Sequence, residues 1–143
     1  MAASLFGRSG FFVMSAELWQ RVMRPGEGQA TLFTLKSSVQ LSDGRLIELD
    51  AQGFLVCFQG QLKAWRNECP HAGSPLDWIP GRFFSESGEQ LVCHTHHALF
   101  DPLSGDCLSG PCPRGLYALP FRDAGDGHVE VPVQADLHSG RAE

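Results

Sequence analysis

Two short segments carry most of the reactive side chains. The first is Cys69-Pro-His71-Ala-Gly-Ser-Pro-Leu76-Asp77 and the second is Cys93-His-Thr-His96-His-Ala-Leu-Phe100-Asp101. Each offers a thiol and an imidazole a few positions apart, then a hydrophobic residue and an aspartate. As spacing, the pair reads C-x-H, 21 intervening residues, then C-x-x-H. Thiolates beside imidazoles suit zinc or iron–sulfur chemistry. Zinc sites of the Cys₂His₂ kind usually pair cysteine with cysteine and histidine with histidine. Here each segment mixes one of each, which suits a two-iron centre with both thiolates on one iron and both imidazoles on the other. A Cys₂His₂ zinc interaction domain is the alternative from spacing alone.

The remaining candidates read more plainly. Cys57 lies among apolar neighbours and is expected to be a small core residue. Cys107 and Cys112, separated by Leu-Ser-Gly-Pro, are expected to be free buried thiols, with a strained disulfide or a second metal as the alternatives. Residues 1–16 show no convincing signal peptide, so a reducing, cytoplasmic setting is expected. An organelle presequence over the same residues is the weaker alternative, and Met1 or Met14 could be the start. Trp65 and Trp78 are expected to pack in the core. Asp77 and Asp101 are expected to cap turns or accept backbone hydrogen bonds, and His128 and His138 to lie at the surface.

The elements that must position these segments read as strands. Thr31–Leu35, Arg45–Leu49, Phe54–Phe58, Leu62–Trp65, Gln90–Cys93 and His128–Val133 alternate or are rich in β-branched residues. Between them stand Asp43-Gly44, Gln52-Gly53, Gln59-Gly60, Ser87-Gly88, Ser104-Gly105 and Asp126-Gly127, pairs suited to tight hairpin turns. The fold class is therefore all-β and antiparallel, preceded by a short N-terminal helix over residues 15–24 that Ser15 caps and Pro25-Gly26 stops. Residues 1–28 read as an N-terminal extension, 29–134 as the domain and 135–143 as an acidic tail that frays after Val133. At 143 residues the chain is one domain. It holds no apolar run of membrane-spanning length. With 11 Lys+Arg against 16 Asp+Glu it has no basic stripe for nucleic acid.

From about Val39 to Val133 the sequence resembles the Rieske-type [2Fe–2S] proteins, in particular the low-potential ferredoxin branch that serves oxygenases. The resemblance is carried by Asp43-Gly44, by Trp65-Arg-Asn-Glu-Cys-Pro-His-Ala-Gly and by His96-x-Ala-Leu-Phe-Asp. It continues through Ser104-Gly105 and Gly110-Pro111 to Asp126-Gly-His-Val-Glu-Val. It implies stacked antiparallel sheets with a small cluster-binding part, about 67–114, formed by two loops. It also implies one [2Fe–2S] cluster per chain, with Cys69 and Cys93 on one iron and His71 and His96 on the other. Spacing and the following Ala-Leu-Phe-Asp favour His96 over its neighbours His94 and His97.

Two departures stand out: the 21-residue segment is longer than usual, placing Trp78–Gly88 as an enlarged hairpin, and His97 replaces a glycine. High-potential relatives carry an extra cysteine in each box; here those positions are Ser74 and Thr95, so that loop-to-loop disulfide cannot form. Their hydroxyl donors to sulfur correspond to Ala98 and Phe100, which implies a potential near about -150 mV. The implied function is a soluble one-electron carrier between a reductase and an oxygenase, with no independent catalytic domain. The alternative is a small electron-transfer subunit of an oxidoreductase complex of the nitrite-reductase kind, contacted through helix 15–24 and the hairpin.

Overall fold

The structure is a computed structural model that describes residues 19–70, 74–95, 97–110 and 114–136. Ten strands follow one another: β1 (Trp19–Met23), β2 (Gln29–Gln40), β3 (Leu46–Phe58), β4 (Gln61–Arg66), β5 (Leu91–Cys93), β6 (Ala98–Phe100), β7 (Cys107–Ser109), β8 (Arg122–Asp123), β9 (His128–Pro132) and β10 (Gln134–Asp136). They form three sheets, ordered β10-β2-β3-β4, β1-β9-β8 and β5-β6-β7. Every pairing is antiparallel except β10 with β2. Among the described residues there is no helix, so none is long and apolar enough to cross a membrane.

The two-residue period of β3 explains the layering. Successive side chains of a strand point to opposite faces, and both faces of β3 are covered at its C-terminal half. Leu55 joins Phe33, Leu35, Ala64, Val129 and Val131 in one core, which supports β9. Phe54 and Val56 join Trp65, Cys69, Leu76, Phe83, Leu91, Cys93, Ala98 and Phe100 in the other. The second core therefore lies between the central sheet and the β5-β6-β7 sheet. Phe54 and Leu55 are fully buried, and each such side chain stabilises the fold by about 1.5–3 kcal/mol. The outer edge of β4 is covered as well: Arg66 donates to Tyr117 O, and Leu119 donates to Ala64 O.

Four expectations are corrected here. The helix expected over 15–24 is a strand across 19–23, while 15–18 lie outside the described residues. Its register with β9, from Trp19↔Pro132 to Met23↔His128, supplies long-range pairing that outweighs local helix propensity. Arg45–Leu49 and Phe54–Phe58 are parts of one strand, β3, and Gln52-Gly53 is not a turn. A side chain at Gly53 would start 2.6 Å from the Phe33 ring and 2.7 Å from Leu119, so this glycine serves close approach. The chain does not fray after Val133 but continues as β10 beside Lys36–Ser38. Trp78–Gly88 is not one enlarged hairpin: Arg82 N–H bonds Ile79 O in a tight turn, and only 83–85 pair across, through the Ser85 N–H to Gln90 O and Val92 N–H to Phe83 O bonds on either side of the bridge Phe84↔Leu91.

The β3–β4 hairpin shows how an exposed carboxylate holds a turn. Gln59 and Gly60 both have positive φ, 53° and 77°, the type I′ geometry that matches strand twist. Glu27 accepts the Gln59 N–H at 2.6 Å and the Gly60 N–H at 2.9 Å. Those bonds, Gly60's first, hold the Glu27 carboxyl below the usual carboxylate range. A depressed folded pKa gives stability that is present above the unfolded pKa and lost as pH falls through the folded one. Thermal unfolding followed from neutral pH into the acid range should therefore show a falling Tm. Glu27→Gln should have a lower Tm at neutral pH and a shallower acid dependence. Parallel curves for the two proteins would contradict the assignment.

Candidate metal centre

The first ligand segment leaves the end of β4. Asn67 donates its backbone N–H to Gln52 O at 2.9 Å, and its side chain spans the loop that follows. Asn67 Oδ1 accepts the Leu76 N–H at 2.8 Å. Its Nδ2 donates to Asp77 Oδ1 at 2.8 Å and to Gln52 Oε1 at 3.1 Å. Inside this loop the Cys69 N–H bonds Ser74 O at 2.7 Å. The second segment is a hairpin: Cys93 pairs with Ala98 across β5 and β6, and the His97 N–H turns back to Cys93 O at 2.6 Å.

A third segment closes against these two. Asp101 Oδ1 accepts the Leu103 and Ser104 N–H groups, which forms the turn before Gly105. Trp65 donates its indole N–H to Pro102 O at 3.1 Å. Gly110 has φ 100°, and a side chain there would start 2.7 Å from the Ala98 backbone. The strand within the second segment, β6, thus presses directly against the 107–110 stretch.

Cys69 and Cys93 are thiols outside any disulfide, fully buried and members of one core. His71 and His96 lie outside the described residues, as do Cys112 and His138. Cys57 is a buried thiol, as expected, but it has a polar partner: Sγ lies 3.8 Å from Glu27 Oε1. Burial, and then the Glu27 charge, push that thiol's pKa up. Cys107 corrects an expectation, because it is disulfide-bonded. It sits half-buried on an edge strand, packed against the core that holds Cys69 and Cys93.

Two buried thiols on adjoining loops form a soft donor set of the kind iron–sulfur centres use. The buried Oγ of Ser74 has no hydrogen-bond partner among the described residues. A polar atom left unmatched inside the first loop fits a loop shaped around a further group. Residues 31–120 match the family model of the Rieske [2Fe-2S] domain. The chain belongs to the Rieske [2Fe-2S] domain family. Membership brings one [2Fe–2S] cluster per chain, which displaces the zinc reading.

Solved structures agree on the fold. A chain of the complex of reduced oxygenase and oxidized ferredoxin in carbazole 1,9a-dioxygenase is similar at 19% identity and a TM-score of 0.55. The match covers 84% of this chain and 97% of that one. A chain of the reduced complex between oxygenase and ferredoxin in carbazole 1,9a-dioxygenase matches at 20% identity and a TM-score of 0.51. It covers 82% of this Rieske protein but only 28% of that longer chain. Among curated proteins none matches.

The Rieske domain's departure at His97 has a backbone cause. His97 has φ 62°, a left-handed conformation that glycine adopts freely and other residues adopt at some cost. Replacing His97 by glycine should leave stability within about 1 kcal/mol and the visible spectrum unchanged. Valine, β-branched and strained at this φ, should cost about 1–3 kcal/mol. Denaturant unfolding of the two variants checks the order; equal losses would remove the backbone explanation.

Asp77 and Asp101 do accept backbone hydrogen bonds, and Trp65 is buried. Trp78, expected in the core, is instead 67% exposed, because its short turn runs over the surface. Sequence reasoning missed Asn67. Its only signal was a short amide placed two residues before a ligand-type cysteine.

Proposed function

We propose that this Rieske protein is a one-electron carrier that accepts an electron from a reductase and delivers it to an oxygenase. The cluster ligands are Cys69, Cys93, His71 and His96, within a cluster-binding part of about 67–114. The observation that carries the reading is the pair Cys69 and Cys93: thiols outside any disulfide, fully buried and members of one core within the family match. When bound, the [2Fe–2S] centre takes up and returns one electron.

The chain's own residues set the terms of that exchange. Two thiolates compensate the iron charge and neutral imidazoles add none, so reduction is easier than with four thiolates. The apolar core around Cys69 and Cys93 excludes water from the sulfur side. Ala98 and Phe100 are fully buried and bring no hydroxyl to that side, which supports a potential near the low end for Rieske centres. Trp78 and Ile79 are 67% and 58% exposed, and the Trp78 indole meets Thr95 of the second ligand segment. They offer an apolar contact beside the centre for brief redox docking, an encounter of less than about 1,200 Å².

The oxygenase partner is supported by the solved complex, where an oxygenase and a ferredoxin occur together and a chain is matched over almost its whole length. The cytoplasmic placement is supported by three cysteines that stay outside disulfides and opposed by the disulfide of Cys107.

Visible and electron paramagnetic resonance spectra of the anaerobically purified protein test the reading, with iron and sulfide analysis. About two irons and two sulfides per chain and a Rieske-type reduced signal are expected. The reduced protein should then be reoxidised by a Rieske-type oxygenase during substrate turnover. A colourless zinc protein would overturn the assignment, and a red protein that no oxygenase reoxidises would overturn the partner.

A further inference from the structure

Leu76 and Asp77 end the first ligand segment, Trp78 follows it, and the three residues join the approach to Cys69 with the second segment. On one side, Leu76 N–H and the Asp77 carboxylate meet the Asn67 side chain, two residues before Cys69. On the other, the Leu76 carbonyl accepts the His94 N–H at 3.0 Å. His94 Nδ1 lies 3.2 Å from the same oxygen, so the proton of that contact sits on Nδ1. Trp78 Nε1 donates to Thr95 Oγ1 at 3.3 Å, and its ring lies 6.0 Å from that of His94. His94 and Thr95 are the two residues between Cys93 and His96. Asp77 is itself anchored, since Oδ2 accepts the Gly81 N–H at 3.0 Å.

We propose that Leu76-Asp77-Trp78 is a strut that fixes the separation of the two cysteine loops, with Asn67 as the positioning residue that locks it. The proposal rests on the reading of Cys69 and Cys93 as ligands of one centre. Asn67 is only 7% exposed, and its side-chain amide uses its oxygen and its nitrogen in three bonds. A buried amide with its donors and acceptor satisfied holds one geometry, because every displacement leaves a polar group unmatched. Four ligands drawn from two loops keep a binuclear centre only while the loops hold their distance, which makes this contact a control on cluster retention.

The donor and acceptor of the lock can be exchanged. Asn67→Asp sets a carboxylate against Asp77, and Asp77→Asn sets two amide nitrogens against each other or forfeits the Gly81 bond. Together, the two substitutions restore one donor facing one acceptor, and the Gln52 amide can turn to donate. The test is release of iron to an external chelator, measured equally far below each variant's own Tm. Each single variant should release iron at least about tenfold faster than the parent, and the double variant should return to within about threefold. Trp78→Phe, which removes only the indole N–H, should give a smaller acceleration without loss of fold. Unchanged release in the single variants, or a double variant no better than they are, would overturn the strut. Release that merely tracks Tm would do the same.

If the purified parent carries no iron, the ligand reading falls. The strut is then judged by hydrogen exchange of the 74–82 segment, read by mass spectrometry. Slow exchange at Leu76 and Gly81 that each single substitution accelerates and the double one restores supports it. Fast exchange in the parent overturns it.

Discussion

Replacement of Cys93 by serine should leave the purified protein without iron and inorganic sulfide, and replacement of Cys69 should do the same. An iron-bound thiolate forms because a thiol ionises near neutral pH and its sulfur is soft, whereas a serine hydroxyl meets neither condition. Both side chains are fully buried in an apolar core, where a hydroxyl is a poor replacement for a thiolate ligand. Serine is nearly the size of cysteine, and the cost to the fold is that of a buried hydroxyl without a partner, about 1–3 kcal/mol. Loss of metal in a protein that still unfolds cooperatively therefore reads as loss of a ligand. Cys57→Ser is the control: that thiol faces Glu27 rather than the ligand loops, and its iron content should match the parent's. Full iron and sulfide in either Cys69→Ser or Cys93→Ser would remove that residue from the ligand set.

What the sequence showed and what it hid follow from how far each signal reaches along the chain. Ligand spacing is local, and the two boxes announced an iron–sulfur centre before any fold was in view. Turn chemistry is local too. Gly44, Gly60, Gly88, Gly105 and Gly127 all have the positive φ that their pairs implied. Gly53 was misread because a glycine demanded by a ring from a neighbouring strand looks, in one dimension, like a glycine demanded by a turn. The segment 19–23 misled for a related reason. Leu18 and Val22 have helical spacing, but β9 lies over a hundred residues away and its pairing is invisible to a local window. The expectation for Cys107 rested on a cellular compartment rather than on the chain, and the disulfide is a property of the chain.

Phe83→Ala should be the most destabilising single substitution in the segment between the two boxes. The segment is longer than the boxes need, and its first residues, Trp78 and Ile79, are exposed, which alone would suggest a dispensable surface loop. Phe83 contradicts that. It is 1% exposed and lies in the core that holds Cys69 and Cys93. Its ring stacks on Phe54 at 3.9 Å between centroids and 9° between planes. The Val92 N–H also bonds Phe83 O at 2.9 Å, so the residue ties the segment to the strand that ends at Cys93. Truncating a buried phenylalanine costs about 3–5 kcal/mol through lost burial and the cavity left behind. For a domain of this size that corresponds to a fall in Tm of roughly 10 °C or more. Phe84→Ala should cost less, since Phe84 is only partly buried and meets Phe58 at a longer 6.1 Å. The two variants, unfolded by heat and by denaturant, decide whether the segment is core or ornament. A loss below about 1 kcal/mol for Phe83→Ala would mean that the core beneath the cysteines is complete without it.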